Sequence, residues 1–379
     1  MTKAYVIRVL IKGLLLLFLF NLLFAVLNPM PTLGKITAYN WLFPPRQRLP
    51  FGDEPSKAYS LNLYQLDAMF ASHEISARPK PADEYRILII GDSSVWGYLL
   101  KPSETLSAYT NYAQLSSKEG KTVRAYNLGY PTVSLMKDLL ILSYSMRYQP
   151  DMVVWFVTLE GLPYDKQLAS PIVQNNAETV RYLLRKYALR FDENDPQLQY
   201  ATFWEKTIIG QRRELANLIR LQLYGVLWAA TGVDQAYPET ITQRQKDLDA
   251  DISFHGLHSP MREEDLSFDV IKAGISMVGG IPLILVNEPI FISEGINSNL
   301  RYDAMYPRWA YDEYRALLQQ MCKKNAWHCI DLWDAIPPAE FTNTAIHITP
   351  LGSSELAVVP VQFLQLSLDL ASKLTEELR

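Results

Sequence analysis

Apolar and polar positions divide the chain into stretches of different period. Gly13 to Leu27 is apolar except for Asn21, and Val9-Leu10-Ile11 extend the run backward past Lys12. A membrane span needs roughly 17–25 such residues, so the extended run is long enough, with the Lys12 ammonium reaching back to the headgroups. Pro29 to Pro55 is rich in proline, glycine and polar residues, and residues 29–58 read as a juxtamembrane linker. Tyr59 to Ser72 has the spacing of a helix that leads into the remaining chain.

From Tyr85 the period alternates. Arg86-Ile87-Leu88-Ile89-Ile90 is a short apolar run ending in Gly91-Asp92, the signature of a strand buried on both faces. Helices are predicted over Thr105 to Lys118 and Val133 to Arg147, with a strand over Thr122 to Leu128 between them. Asp151 to Val157 is a third strand and Ile281 to Val286 a fourth. A helix follows from Tyr311 to Lys324, then a fifth strand, Cys329 to Leu332, and a closing helix from Leu351 to Leu378. This alternation predicts an α/β fold, a doubly wound parallel sheet of about five strands. Ligands of such sheets bind at the carboxyl ends of the strands. Residues 162–262 break the rhythm and read as a helical insertion, with Thr179 to Tyr187 and Phe203 to Thr231 its best segments. Leu215 to Ala230 is apolar on most sides, as in a helix buried against the main domain or in a lid that lines an acyl chain. The organisation expected is an anchor (1–28), the linker, and one α/β domain (59–379) interrupted by the insertion.

Composition narrows the classes. The chain has 379 residues, is 49% hydrophobic and carries a formal net charge of -4, with no basic run beyond the N-terminus. A packed core is therefore expected, and nucleic acid is not a partner. Lys3, Arg8 and Lys12 precede the apolar run, an arrangement shared by secretory signals and membrane anchors. No small-x-small cleavage site follows in Phe24-Ala25-Val26-Leu27-Asn28, which favours an anchor that is retained. In both cases the basic flank stays in the cytoplasm and the rest of the chain is exported. Cys322 and Cys329, the two cysteines present, flank a predicted turn. Export permits a bridge between them, with two buried thiols as the alternative. The 12% aromatic content fits core packing, or a groove that stacks on sugar rings.

The strongest chemical signal is Gly91-Asp92-Ser93-Ser94 directly after a strand. A serine there is presented at the sheet edge, and its own N–H can help hold an oxyanion. Asp92 is expected in a structural role, bonded to nearby backbone N–H groups. A hydroxyl needs a base to become a nucleophile. Of the five histidines, His347 alone lies in a loop after the last strand and before the last helix, at the same edge as Ser93. His73 precedes the sheet, His255 and His258 fall in the insertion, and His328 opens a strand. Asn287-Glu288-Pro289 ends the fourth strand; it reads as a turn, with substrate binding by Asn287 or Glu288 as the other reading.

Gly91-Asp92-Ser93-Ser94 resembles the first conserved block of the SGNH/GDSL hydrolase superfamily, and Asn127-Leu128-Gly129 is similar to the second. His347, followed by Thr349-Pro350-Leu351-Gly352, resembles the last. The resemblance runs from about residue 85 to 376 and implies Ser93 as nucleophile, His347 as base and the Gly129 N–H as an oxyanion donor. Two positions depart from the pattern. Glu160 stands where an oxyanion-donating asparagine is expected, and would donate only if burial beside Ser93 held it protonated. Thr344 stands where the triad aspartate is expected. Asn343 would then orient the imidazole through its amide oxygen, with Asp331 and Asp334 as other candidates. Members with an N-terminal anchor include proteins that move acyl groups on exported polysaccharides and cell-wall polymers. The resemblance thus implies a membrane-anchored serine esterase or O-acyltransferase acting on an acylated glycan or another ester. It calls for no metal or cofactor, and a membrane-bound partner in acyl transfer is compatible with it. The departures at Glu160 and Thr344 raise a second reading, a catalytically weakened protein that binds a glycan or a partner.

Overall fold

A computed structural model describes residues 2–52, 61–198, 201–233 and 244–357. Five strands form one sheet: β1 (Glu84–Ile90), β2 (Thr122–Asn127), β3 (Met152–Val157), β4 (Leu283–Asn287) and β5 (His328–Asp331). All neighbours are parallel, in the order β2-β1-β3-β4-β5. The chain steps outward from β1 to β2, then crosses back to β3 and continues to the other edge. The loops after β1 and β3 therefore part in opposite directions and leave a crevice at the carboxyl ends of the two strands.

The period of two sets both faces. Leu88, Ile90, Val153, Trp155 and Leu285 point into the larger core, while Ile87, Ile89, Val154, Phe156 and Val286 point into the smaller one. Helices cover both. The first are α1 (Lys3–Leu27), α2 (Met30–Leu33), α3 (Ala38–Leu42) and α4 (Leu66–Ala71). Helices α5 (Ser93–Trp96) and α6 (Leu106–Tyr112) connect β1 to β2, and α7 (Leu135–Ser145) connects β2 to β3. Between β3 and β4 lie α8 (Pro171–Gln174), α9 (Ala177–Tyr187), α10 (Arg212–Thr231) and α11 (Phe268–Val278). Helix α12 (Arg308–Asn325) joins β4 to β5, and the Cys322–Cys329 disulfide ties its end to that strand. Helix α11 crosses the sheet closely because Gly274 faces the Trp155 ring, where a Cβ would collide.

Two expectations change. Residues 29–52 are part of the fold rather than a free linker: Met30, Tyr39 and Leu49 are buried in the larger core. Prolines there set turns between apolar anchors and do not signal freedom. The helix expected from Phe203 begins at Arg212, because Thr202, Glu205 and Thr207 side chains bond local backbone N–H groups in the preceding turns. The closing helix is seen over residues 351–357; its remainder, like residues 53–58 of the expected linker, residues 59–60 at the start of the expected helix, and residues 199–200 and 234–243 of the insertion, lies outside the described residues.

Candidate active site

Ser93 opens α5 at the switch point between β1 and β3. Asp92 caps that helix, its Oδ1 accepting from the Ser94 N–H at 2.8 Å. His347 comes from a loop that closes on itself. Its carbonyl accepts from Thr342 N–H at 2.8 Å, and Phe341 pairs with Ile348 in an isolated bridge. Thr344 Oγ1 accepts from the His347 N–H at 3.1 Å, so the residue standing in place of a triad aspartate serves as a turn cap.

The loop brings His347 Nε2 to 2.7 Å from Ser93 Oγ, and Nδ1 to 2.9 Å from Asn343 Oδ1. An amide oxygen only accepts, so Nδ1 carries the proton and Nε2 presents a lone pair to the hydroxyl. The Tyr98 ring stacks on the imidazole, centroids 4.8 Å apart and planes 26° from parallel. His347 is 7% exposed. Burial pushes its pKa down to about 4, opposed by the charge of Asp92. The imidazole is therefore neutral across the physiological range, as a base must be.

Behind Ser93 lies a buried polar layer that the sequence pattern did not reveal. Ser94 Oγ donates to Glu288 Oε2. Burial first, and then the neighbouring Asp92 carboxyl, raise the Glu288 pKa well above the usual range. Its other oxygen meets no donor among the described residues. Lys137, fully buried in α7, donates to the Gly91 and Tyr130 carbonyls at 2.7 and 3.2 Å and pairs with Asp138 at 2.5 Å. It thereby fastens the turn that carries Ser93 to the loop after β2. Burial pushes Asp138 up to about 6, and Trp155 Nε1 donates to it at 3.1 Å. Lys137 and Asp138 sit side by side in an otherwise largely apolar helical stretch, and that charged pair was the one available signal.

Other expected site residues are engaged elsewhere. The Gly129 N–H donates to Asn127 Oδ1 at 3.0 Å, so it is not directed at an incoming oxyanion. Gly129 is needed for close approach instead: a Cβ would lie 2.8 Å from the Val95 carbonyl carbon. Glu160 follows β3 but binds Lys166 Nζ, and His255 Nε2 lies 3.2 Å from its carboxylate. Its carboxyl is engaged by these two side chains rather than by a group at Ser93, as the expected oxyanion role would require. Asn287 is buried and fully bonded, its Nδ2 donating to Asp331 at 2.8 Å and its Oδ1 accepting from Tyr314 at 3.0 Å. It links β4 to β5 and α12 and has no group left for a substrate. Asp331 also accepts from Arg315 at 2.7 Å, and Asn343 occupies the place at His347 for which Asp331 was a candidate. His73 is buried against the Gln47 and Asn127 carbonyls, and its pKa is lowered by that burial. Among the described residues, no three His, Cys, Asp or Glu side chains converge as a metal-binding set.

No protein-family model matches the sequence, and no curated protein does. Similar solved structures include a catalytic mutant of an acetylxylan esterase from Geobacillus stearothermophilus, 12% identical with a TM-score of 0.35. The match covers 74% of this chain and 94% of that one. An inhibitor-bound aryl esterase of M. Smegmatis is 11% identical, with a TM-score of 0.34 over 74% of this chain and 98% of its own. A carbohydrate acetylesterase family member from Sinorhizobium meliloti is 10% identical, with a TM-score of 0.31 over 74% and 98%.

Proposed function

We propose that the chain is a serine esterase or O-acyltransferase of SGNH/GDSL type, held at a membrane by α1 with its α/β domain on the exported side. The observation that carries this reading is the relay Ser93 Oγ to His347 Nε2, with Nδ1 held by Asn343, at the switch point of the sheet. Helix α1 has 25 residues and spans about 38 Å at 1.5 Å per residue, enough for a hydrocarbon layer of about 30 Å. The Lys3, Arg8 and Lys12 flank keeps its start in the cytoplasm.

In the reaction, His347 Nε2 takes the Ser93 hydroxyl proton as Oγ attacks the acyl carbonyl. The tetrahedral intermediate places its negative oxygen near the Ser93 N–H at the start of α5. Its collapse breaks the ester C–O bond, and His347 returns the proton to the departing alkoxide. Water, or a hydroxyl of a second sugar, then gives its proton to His347 and attacks the acyl-enzyme. The products are a free acid or a new ester, with Ser93 restored. An ester carried by a glycan or cell-envelope polymer is the substrate class that fits an exported, membrane-held domain.

A second reading has its own support. The Gly129 N–H is taken by Asn127, and Glu160 is paired with Lys166, so oxyanion donors are few. A weakened protein that binds a glycan would look the same. A fluorophosphonate probe separates the two. The esterase reading expects covalent labelling that Ser93→Ala abolishes while the fold is retained by circular dichroism. Labelling of the mutant at the wild-type level would show that another nucleophile is responsible, and labelling of neither protein would favour the binding reading.

A further inference from the structure

Large apolar side chains left in solvent gather on segments tied to α1. Asn21, buried within that helix, accepts from the Ile209 N–H at 3.2 Å through its Oδ1, while its Nδ2 returns to the Leu17 carbonyl at 2.9 Å. Ile209 is thus fastened to α1 about 9 Å short of its carboxyl end at Leu27, at 1.5 Å per residue. The turn that precedes α10 leaves Trp204 64% exposed, with Phe203 and Ile209 also exposed.

Helix α10 continues the pattern. Leu218, Leu221 and Trp228 are buried against the domain, and Gly225 lets the Tyr39 ring approach. The opposite face should be polar in a helix that meets water. Instead Ile219, Leu223 and Leu227, four residues apart, are all exposed. Arg212, Arg213 and Arg220 are exposed alongside that stripe. Helix α3 rides on α10, its Ala38 N–H donating to Gln222 Oε1 at 2.6 Å, and leaves Trp41 79% exposed beside exposed Leu42.

We infer that α10, α3 and the turn at 203–209 form a seat by which the domain lies in the outer headgroup layer of the membrane that α1 spans. The apolar stripe enters the acyl boundary, the three arginines meet lipid phosphates, and the exposed tryptophans sit at the interface that indole favours. The inference rests on the proposed span. A lipid surface is the occupant because Asn21 fixes the turn to a helix already in the bilayer, about 9 Å inside its outer end and within the roughly 5–10 Å that the apolar face of an interfacial helix reaches. Seated this way, the domain cannot swing on a tether, and Ser93 is held at a constant height above the lipid.

The test uses the full chain in vesicles of phosphatidylcholine and phosphatidylglycerol. Cys322 and Cys329 are bonded to each other, so single cysteines at Leu17, Leu223 and the exposed Glu264 can carry spin labels. Collisions with oxygen report lipid, and collisions with a nickel chelate report water. The seat expects Leu17 and Leu223 both to favour oxygen, with nickel collisions several-fold below those at Glu264. Leu223 matching Glu264 while Leu17 remains in lipid would overturn the seat and leave the span standing. All three sites in water would remove both. Shielding of Leu223 from oxygen and nickel alike would mean that protein covers the stripe, a second copy included, and would also overturn the seat. If a label at Leu223 disturbs the fold, quenching of tryptophan emission by brominated phosphatidylcholine reads the same contact. That quenching should fall on Trp41→Phe and Trp204→Phe; no change in either would count against the seat.

Discussion

Two histidines meet side chains that follow strand ends, and their surroundings differ in one decisive respect. His347 meets Ser93 after β1 and Asn343 in its own loop, both neutral. His255 meets Glu160 after β3 at 3.2 Å and Asp165 at 2.8 Å, and Glu160 is bound in turn by Lys166. The second group gathers two carboxyl groups and a lysine around one ring, which ties the insertion to the sheet edge. The first group has no carboxylate bonded to the imidazole, so a buried ring stays neutral and leaves a lone pair on Nε2 for a hydroxyl. A histidine's partners thus decide its use more than its position at the edge does: carboxylates make a clamp, whereas a hydroxyl and an amide oxygen make a base.

The sharpest way to break the comparison is to remove each ring. His347→Ala is expected to lower turnover of a p-nitrophenyl ester by roughly 10³-fold or more, the scale on which a catalytic dyad is lost. His255→Ala should change turnover by about twofold at most, its effect falling on melting temperature, since it removes a half-exposed ionic contact. Comparable losses of turnover in the two variants would erase the distinction drawn between the clusters.

A smaller effect follows from the neutral partner of Nδ1. With the His347 pKa pushed down to about 4 by burial, the base loses its lone pair only as pH falls through that value. The acid limb of the wild-type rate should therefore lie near pH 4 rather than at the unperturbed histidine value of about 6.5. Asn343→Asp places a carboxylate at 2.9 Å from Nδ1, which favours the imidazolium. Its acid limb should move to higher pH. A pH–rate profile for each protein measures both positions. An unshifted limb in Asn343→Asp would show that Asn343 does not hold the ring during turnover. The folded state feels the same shift: the unfolded chain binds the proton more readily, so His347 withdraws stability as pH falls from about 6.5 toward 4.

How much of this was legible in the sequence differs by region. The strand cores, Ile87 to Ile90 and Met152 to Val157, were plain because both faces are covered and the runs are apolar throughout. The Ser93 and His347 pairing followed from placement alone, one after the first strand and the other before the last helix. Lys137 and Tyr98, and the bond of Glu288 to Ser94, were hidden because they arise from side chains brought together across the sheet. The segment 29–52 misled because its prolines resemble a linker, while Tyr39 and Leu49 act through contacts far along the chain. Glu160 misled for a related reason. An alignment position places a side chain at a strand end, but its partners Lys166 and His255 lie in the insertion, whose path no strand pattern announces.

Glu160 therefore supplies the mildest and most discriminating variant. A protonated acid donating to an oxyanion would give a rate that falls as the acid ionises, and Glu160→Gln, which keeps an N–H at every pH, would extend activity upward. The structure instead has the Glu160 carboxyl bonded to Lys166 and His255. Glu160→Gln should then reproduce the wild-type pH–rate profile and lower the rate by about twofold at most. Its visible effect should be a modest loss of thermal stability, on the order of 1 kcal/mol, because an amide still bonds His255 but no longer balances the lysine. The carboxylate is largely shielded, with a side-chain exposure of 15%, which places the loss toward the upper end of the range for surface pairs. A mutant that stays active where the wild type fades would return Glu160 to the oxyanion site and make the two histidine clusters parts of one machine.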